Sequence, residues 1–180
     1  MDFEKLSLEG AWLITPKVFG DARGYFMESF KSEEFKRNVG DVVFVQDNES
    51  MSTYGVLRGL HYQSGDAAQA KLVRVSRGKV LDVAVDIRRN SPTYGKHIAV
   101  ELSDENHCQL FIPRGCAHGF VVLSEVAQFQ YKVDNRYAPE CEHTLRYDDP
   151  AIGIDWKLPH SVLKFSEKDL SGISFDEVSE

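Results

Sequence analysis

A period of two runs through the middle of this sequence and limits what it can fold into. Leu81, Val83, Val85 and Ile87 alternate with Val80, Asp82, Ala84 and Asp86, the pattern of a half-buried strand. Ile98, Val100 and Leu102 alternate with Ala99 and Glu101, and Phe129, Tyr131 and Val133 with Gln130, Lys132 and Asp134. Turn formers separate such runs: Arg77-Gly78-Lys79, Asn90-Ser91-Pro92, Ser103-Asp104-Glu105-Asn106 and Pro113-Arg114-Gly115. Many short strands between turns predict an all-β sandwich or barrel, not a βαβ fold.

One short helix is predicted, with Ser32 as N-cap, Glu33, Glu34 and Phe35 in its first turn, an end near Asn38 and Gly40 as terminator. After Pro150 the alternation weakens, and Ser171 to Glu180 reads as a loose acidic tail. With no repeat, linker or low-complexity stretch in 180 residues, the prediction is one domain over 1–180.

Hydrophobic residues make up 42% and aromatics 11%, which is globular rather than disordered composition. A net charge of -7 argues against nucleic acid or a membrane surface as partner, but leaves room for one small phosphorylated ligand in a local basic pocket. Met1-Asp2-Phe3-Glu4-Lys5 does not resemble a secretory signal, and runs such as Phe120-Val121-Val122-Leu123 are too short for a bilayer. Cys108, Cys116 and Cys141 are odd in number and lack metal-like spacing, so free thiols in a reducing, cytoplasmic compartment are expected.

Six histidines raise a metal hypothesis. A cupin-type metal site wants two histidines on alternate residues of a strand, but His61 is followed by Tyr62 and Gln63. His118 alone cannot complete a set, and His97, His107, His143 and His160 stand singly, so no metal is predicted. Polar groups on apolar strands are more informative: Lys71 opens Leu72-Val73-Arg74-Val75, Tyr131 shares a face with Phe129 and Val133, and His118 shares one with Phe120 and Val122. An inward Lys71 would require an anion or carbonyl oxygen beside it, because buried lysines need partners; the bland alternative is a solvated strand end. Arg58 and His61, three apart, fall on opposite faces of a regular strand, so sharing a cavity requires a bulge or twist at Gly59.

Seven blocks occur in order: Phe19-Gly20-Asp21-Ala22-Arg23-Gly24, Phe26-Met27-Glu28-Ser29-Phe30, Val45-Gln46-Asp47-Asn48, Leu57-Arg58-Gly59-Leu60-His61-Tyr62-Gln63, Lys71-Leu72-Val73-Arg74, Ala117-His118-Gly119-Phe120 and Tyr131-Lys132. Together, over about residues 10–170, they resemble the dTDP-4-dehydrorhamnose 3,5-epimerases. The resemblance implies an all-β, cupin-type jelly roll (double-stranded β-helix) with one or two short helices, free of metal and cofactor and assembled as a homodimer. It implies His61 as general base, Asp169 as the carboxylate orienting it, Tyr131 as general acid and Lys71 beside the ketone oxygen. Arg58 and His118 match pocket positions near sugar and diphosphate. Arg23, Glu28, Gln46, Asn48 and Lys168 match nucleotide-binding positions, and Phe19, Tyr137 and Glu142 join the substrate-binding set. The implied partner is a dTDP-linked 4-keto-6-deoxy sugar, inverted at carbons 3 and 5 through an enolate that Lys71 would hold.

Three departures from the family pattern touch loops: Ser64-Gly65-Asp66-Ala67-Ala68 in place of a Pro-Pro pair, Ala70 for a glycine, and Ser171-Gly172-Ile173 for a Pro-Leu-type ending. Two other readings use the same residues: a sibling 5- or 3-epimerase or ketoisomerase, and a non-catalytic carbohydrate-binding jelly roll. A base, its orienting acid and a proton donor together disfavour the second, since binding needs none of them.

Overall fold

In the computed structural model, which describes residues 1–178, thirteen strands and two short helices carry the chain. In order they are β1 (Asp2–Lys5), β2 (Trp12–Thr15), β3 (Val18–Asp21), β4 (Gly24–Met27), α1 (Ser32–Asn38), β5 (Gln46–Thr53), β6 (Leu57–Gln63), β7 (Lys71–Arg77), β8 (Lys79–Asp86), β9 (His97–Ser103), β10 (Gln109–Ile112), β11 (Cys116–Val122), β12 (Val126–Val133), β13 (Glu142–Thr144) and α2 (Glu167–Leu170). The three alternating runs become β8, β9 and β12, and the predicted turns lie between strands.

Two antiparallel sheets form the jelly roll, in strand orders β1-β2-β10-β7-β12-β5 and β13-β6-β11-β8-β9; β3 and β4 make a separate hairpin. Between the sheets, Val73, Val75, Leu110 and Phe129 of the first pack with Val80, Ala84, Leu102, Phe120 and Val122 of the second. Phe120 and Phe129 stack with centroids 4.2 Å apart. The outer face of the second sheet (Leu57, Leu81, Val83, Val85, Val121) is covered by Leu145, Tyr147, Ile152, Trp156 and Val178. The first sheet's outer face packs Ile14, Leu72 and Phe111 under Phe35 of α1.

Three sequence expectations need correction. First, β8 is not half-buried: every residue from Val80 to Asp86 is buried, Asp82 and Asp86 fully. The segment after β13 roofs the face that alternation marks as the only buried one, so the polar face becomes the inside of the roll. Second, the loose tail is docked as far as the described residues run. Ile173 bridges Leu145, Val178 is buried, its carbonyl accepts from Arg89, and Ser174 and Glu177 close a capping box. The apolar residues spaced through the acidic stretch supply the reason; Ser179 and Glu180 lie outside the described residues. Third, Lys31, not Ser32, is the N-cap of α1, with no side-chain cap bond. Burial of Phe35 and acidic Glu33 and Glu34 near the positive helix end set this start instead. Gly40 does close the helix, its N–H reaching Phe35 O at 3.3 Å.

The three cysteines are free, with Cys116 buried. Among the described residues, no helix is long and apolar enough to cross a membrane.

Candidate active site

A cavity of about 340 Å³ opens between the two sheets, within the range of small-molecule sites. Arg58 and His61 of β6, Lys71 of β7, His118 of β11, Tyr131 of β12, Glu142 of β13, and Lys168 and Asp169 of α2 all line it, with Tyr137. Arg58 and His61 meet there because β6 is irregular. His61 stands opposite His118 and Arg58 opposite Phe120, so three steps on β6 match two on β11. The extra residue is absorbed at Gly59, at φ +128°, which turns both side chains to one face. Arg58 Nε donates to Ser52 Oγ at 3.0 Å.

His61 Nε2 is buried 3.0 Å from Asp169 Oδ1, off the line of an ideal hydrogen bond. Asp169 is itself held from two sides. Oδ1 accepts Gly59 N–H at 3.0 Å, while Oδ2 accepts Ser166 N–H at 3.0 Å and Ser166 Oγ–H at 2.6 Å. Ser166 and Asp169 thus form the capping box that starts α2, so the carboxylate that closes this box also addresses the histidine. Burial alone would raise the Asp169 pKa, but the contacts from His61, Ser166 and Gly59 outweigh it and hold the carboxyl well below the usual carboxylate range.

On the neighbouring strand β11 of the same sheet, His118 Nε2 lies 3.1 and 3.0 Å from the two oxygens of Asp82. Burial pushes the His118 pKa down, against the pull of Asp82. Burial also pushes Lys71 down to about 8, opposed first by Asp82 and then by Glu142. Lys71 makes no ion pair with any described residue, so it is the inward, unpartnered lysine and not a solvated strand end.

Tyr131 packs beside Phe129 at 6.1 Å between centroids, and burial raises its phenol above the usual value. At the rim, Tyr137 donates to Glu142 Oε2 at 2.6 Å and Lys168 pairs with Glu142 Oε1. The remaining expected residues lie elsewhere on the chain. Gln46 and Asn48 sit on β5, joined by a 2.7 Å hydrogen bond. Phe19 and Arg23 belong to the β3–β4 hairpin, where Arg23 pairs with Asp21; Glu28, just past the hairpin, pairs with Lys31. The unusual loop at 64–70 does not line the cavity. It ties down the segment before Tyr137, with Ala70 N–H on Asp134 and Gln69 on Asn135 O.

Asp82 is the residue that sequence reasoning missed, because a carboxylate alternating with valines looks solvent-facing. The Ser166-x-x-Asp169 spacing is a readable capping-box signal, though not of its partner His61.

Residues 5–177 match the dTDP-4-dehydrorhamnose 3,5-epimerase family. The chain belongs to that family. Members are isomerases, and this chain is one of them. An epimerase of this name from Methanothermobacter thermautotrophicus is 54% identical over 168 residues, covering 93% of this chain and 90% of that one. A crystal structure of the dTDP-6-deoxy-D-glucose-3,5-epimerase from Legionella pneumophila, in complex with dTDP-4-keto-L-rhamnose, is 45% identical with a TM-score of 0.95, covering 99% and 94% of the two chains. A 3'-monoepimerase from Streptomyces bikiniensis, in complex with dTDP-quinovose, is 34% identical with a TM-score of 0.89, covering 96% and 87%. The family's cupin-type jelly roll is the architecture described above.

Proposed function

We propose that the chain converts dTDP-4-dehydro-6-deoxy-D-glucose to dTDP-4-dehydro-L-rhamnose by inverting carbons 3 and 5, as a cytoplasmic step of dTDP-L-rhamnose synthesis. One observation carries the reading: a histidine–carboxylate pair, an unpaired lysine and a phenol line the same cavity. The ketone at carbon 4 acidifies the hydrogens on both neighbouring carbons. Asp169 occupies the Nε2 side of His61, which leaves Nδ1 to take a proton from carbon, and the carboxylate stabilises the imidazolium that results. Lys71 carries fixed positive charge to the oxygen on which enolate charge grows. Tyr131 returns a proton to the opposite face. Arg58, His118, Glu142, Lys168 and Tyr137 then hold sugar, diphosphate and base.

Phe19, Arg23, Glu28, Gln46 and Asn48 serve the nucleotide in a homodimer, in which the hairpin of one protomer reaches the site of its partner. Phe19, Tyr25 and Phe26 are 51%, 58% and 65% exposed on that hairpin, more apolar surface than an isolated ribbon usually carries. Light scattering should give a dimer; a fully active monomer would contradict this part.

Incubating the protein with the keto-sugar nucleotide in deuterated water, followed by proton NMR, tests the reading. Deuterium at carbons 3 and 5 with inversion at both is expected. Exchange at one carbon only would indicate a mono-epimerase, and no exchange would indicate binding alone.

A further inference from the structure

Two aspartates on the inner face of β8 are both fully buried, yet they are treated differently. Asp86 receives five donors: Arg88 N–H, Nε and a terminal nitrogen, with the hydroxyls of Ser91 and Thr93. That is how a structural carboxylate is satisfied. Among the described residues Asp82 receives one, the Nε2 of His118, facing both oxygens. A carboxylate has about four acceptor sites, so most of the Asp82 charge is not answered by hydrogen bonds. The inner-face neighbours on its strand are Val80 and Ala84 in the apolar core, where a lone negative charge is expensive. The nearby charge that could offset it is the ammonium of Lys71, which likewise has no ion-pair partner among the described residues.

Building on the reaction proposed above, we infer that Asp82 is a positioning residue which keeps Lys71 charged and fixes the His118 tautomer. With Nε2–H directed at Asp82, His118 presents Nδ1 as an acceptor only. The groups acting on Lys71 come from every surrounding element. Asp82 of β8 and Glu142 of β13 favour its charge, and Lys168 of α2 opposes it. The Cys116 thiol, pushed up to about 12 by burial, stays protonated at working pH. His61, His118, Tyr131, Arg58 and Asp169 complete the lining. Asp82 is the foremost of the groups that resist deprotonation of Lys71 by burial.

The test is Asp82→Asn, which keeps shape and removes charge. In the wild type, kcat/KM should fall above about pH 8 as Lys71 loses its proton. In Asp82→Asn that alkaline limb should move acidward by about one to three pH units, the usual effect of a close opposite charge. A merely structural role would lower activity at every pH without moving the limb. Nitrogen-15 NMR of lysine-labelled full-length protein reads the Lys71 titration without turnover, so it separates failure of this inference from failure of the proposed reaction. An unmoved Lys71 titration in folded Asp82→Asn would overturn it. If that variant does not fold, Asp82→Thr, smaller and suited to a strand, gives the same readout, and an unmoved titration there overturns the inference equally.

Discussion

Gly59 and Gly119 face each other across β6 and β11 with no room for a side chain on either. A Cβ on Gly59 would sit 2.5 Å from Gly119 Cα, and one on Gly119 would sit 2.6 Å from Arg58 O. This contact accompanies the extra residue that brings Arg58 and His61 to one cavity. Gly59→Ala adds a clash with backbone and a disfavoured φ, so a loss of roughly 1–3 kcal/mol is expected, together with a drop in turnover beyond what partial unfolding explains. Urea titration alongside kcat measurement checks both.

His61→Ala should lower turnover by about 10²–10⁴-fold while nucleotide binding survives. Asp169→Asn should cost less, because the imidazole remains. Isothermal calorimetry with dTDP and a deuterium wash-in assay separate the two effects. Wild-type wash-in by His61→Ala would reject His61 as the base.

Asp169 also makes a pH signature in stability. Its folded pKa is below the unfolded one, so its contribution is complete above the ordinary carboxylate value of about 3.9 and fades as pH falls towards the folded value. Urea midpoints of wild type and Asp169→Asn should therefore differ at pH 6 and converge in strong acid. A constant gap would mean that the mutation acts through packing alone.

Tyr131→Phe keeps the ring beside Phe129 and removes the proposed opposite-face donor. Exchange of solvent deuterium into unepimerised substrate should then outrun inversion, the reverse of the wild type. Equal loss of both would give Tyr131 a positioning role and shift the search for the acid to Tyr137, which lines the same cavity.

Truncation after Ser174 removes the buried Val178, the carbonyl that Arg89 holds, and the capping box at Glu177. Uncovering this part of the second sheet should lower stability by about 2–5 kcal/mol. Chemical denaturation measures it; an unchanged midpoint would mean that the docked tail contributes nothing.

The strand character of β8, β9 and β12 is local, written in alternation and turn chemistry, and so the all-β class is legible in the sequence alone. The ordered blocks likewise carry the family, and with it the expectation of Arg58, His61, Lys71, His118 and Tyr131 as site residues. What alternation cannot say is what lies against each face. Asp82 looks like a solvent residue until the segment from Leu145 to Val178 covers the other side of β8, and then it is the interior charge beside Lys71. His61 and Asp169 are a still longer case. Their partnership needs a bulge in β6 and a capping box more than a hundred residues later, meeting 3.0 Å apart. Sequence determined which elements form, because hydrogen-bonding period and turn residues act over a few positions. Only the tertiary structure decided which charges share a cavity, because burial and electrostatics depend on what the folded chain brings close, however far apart along it.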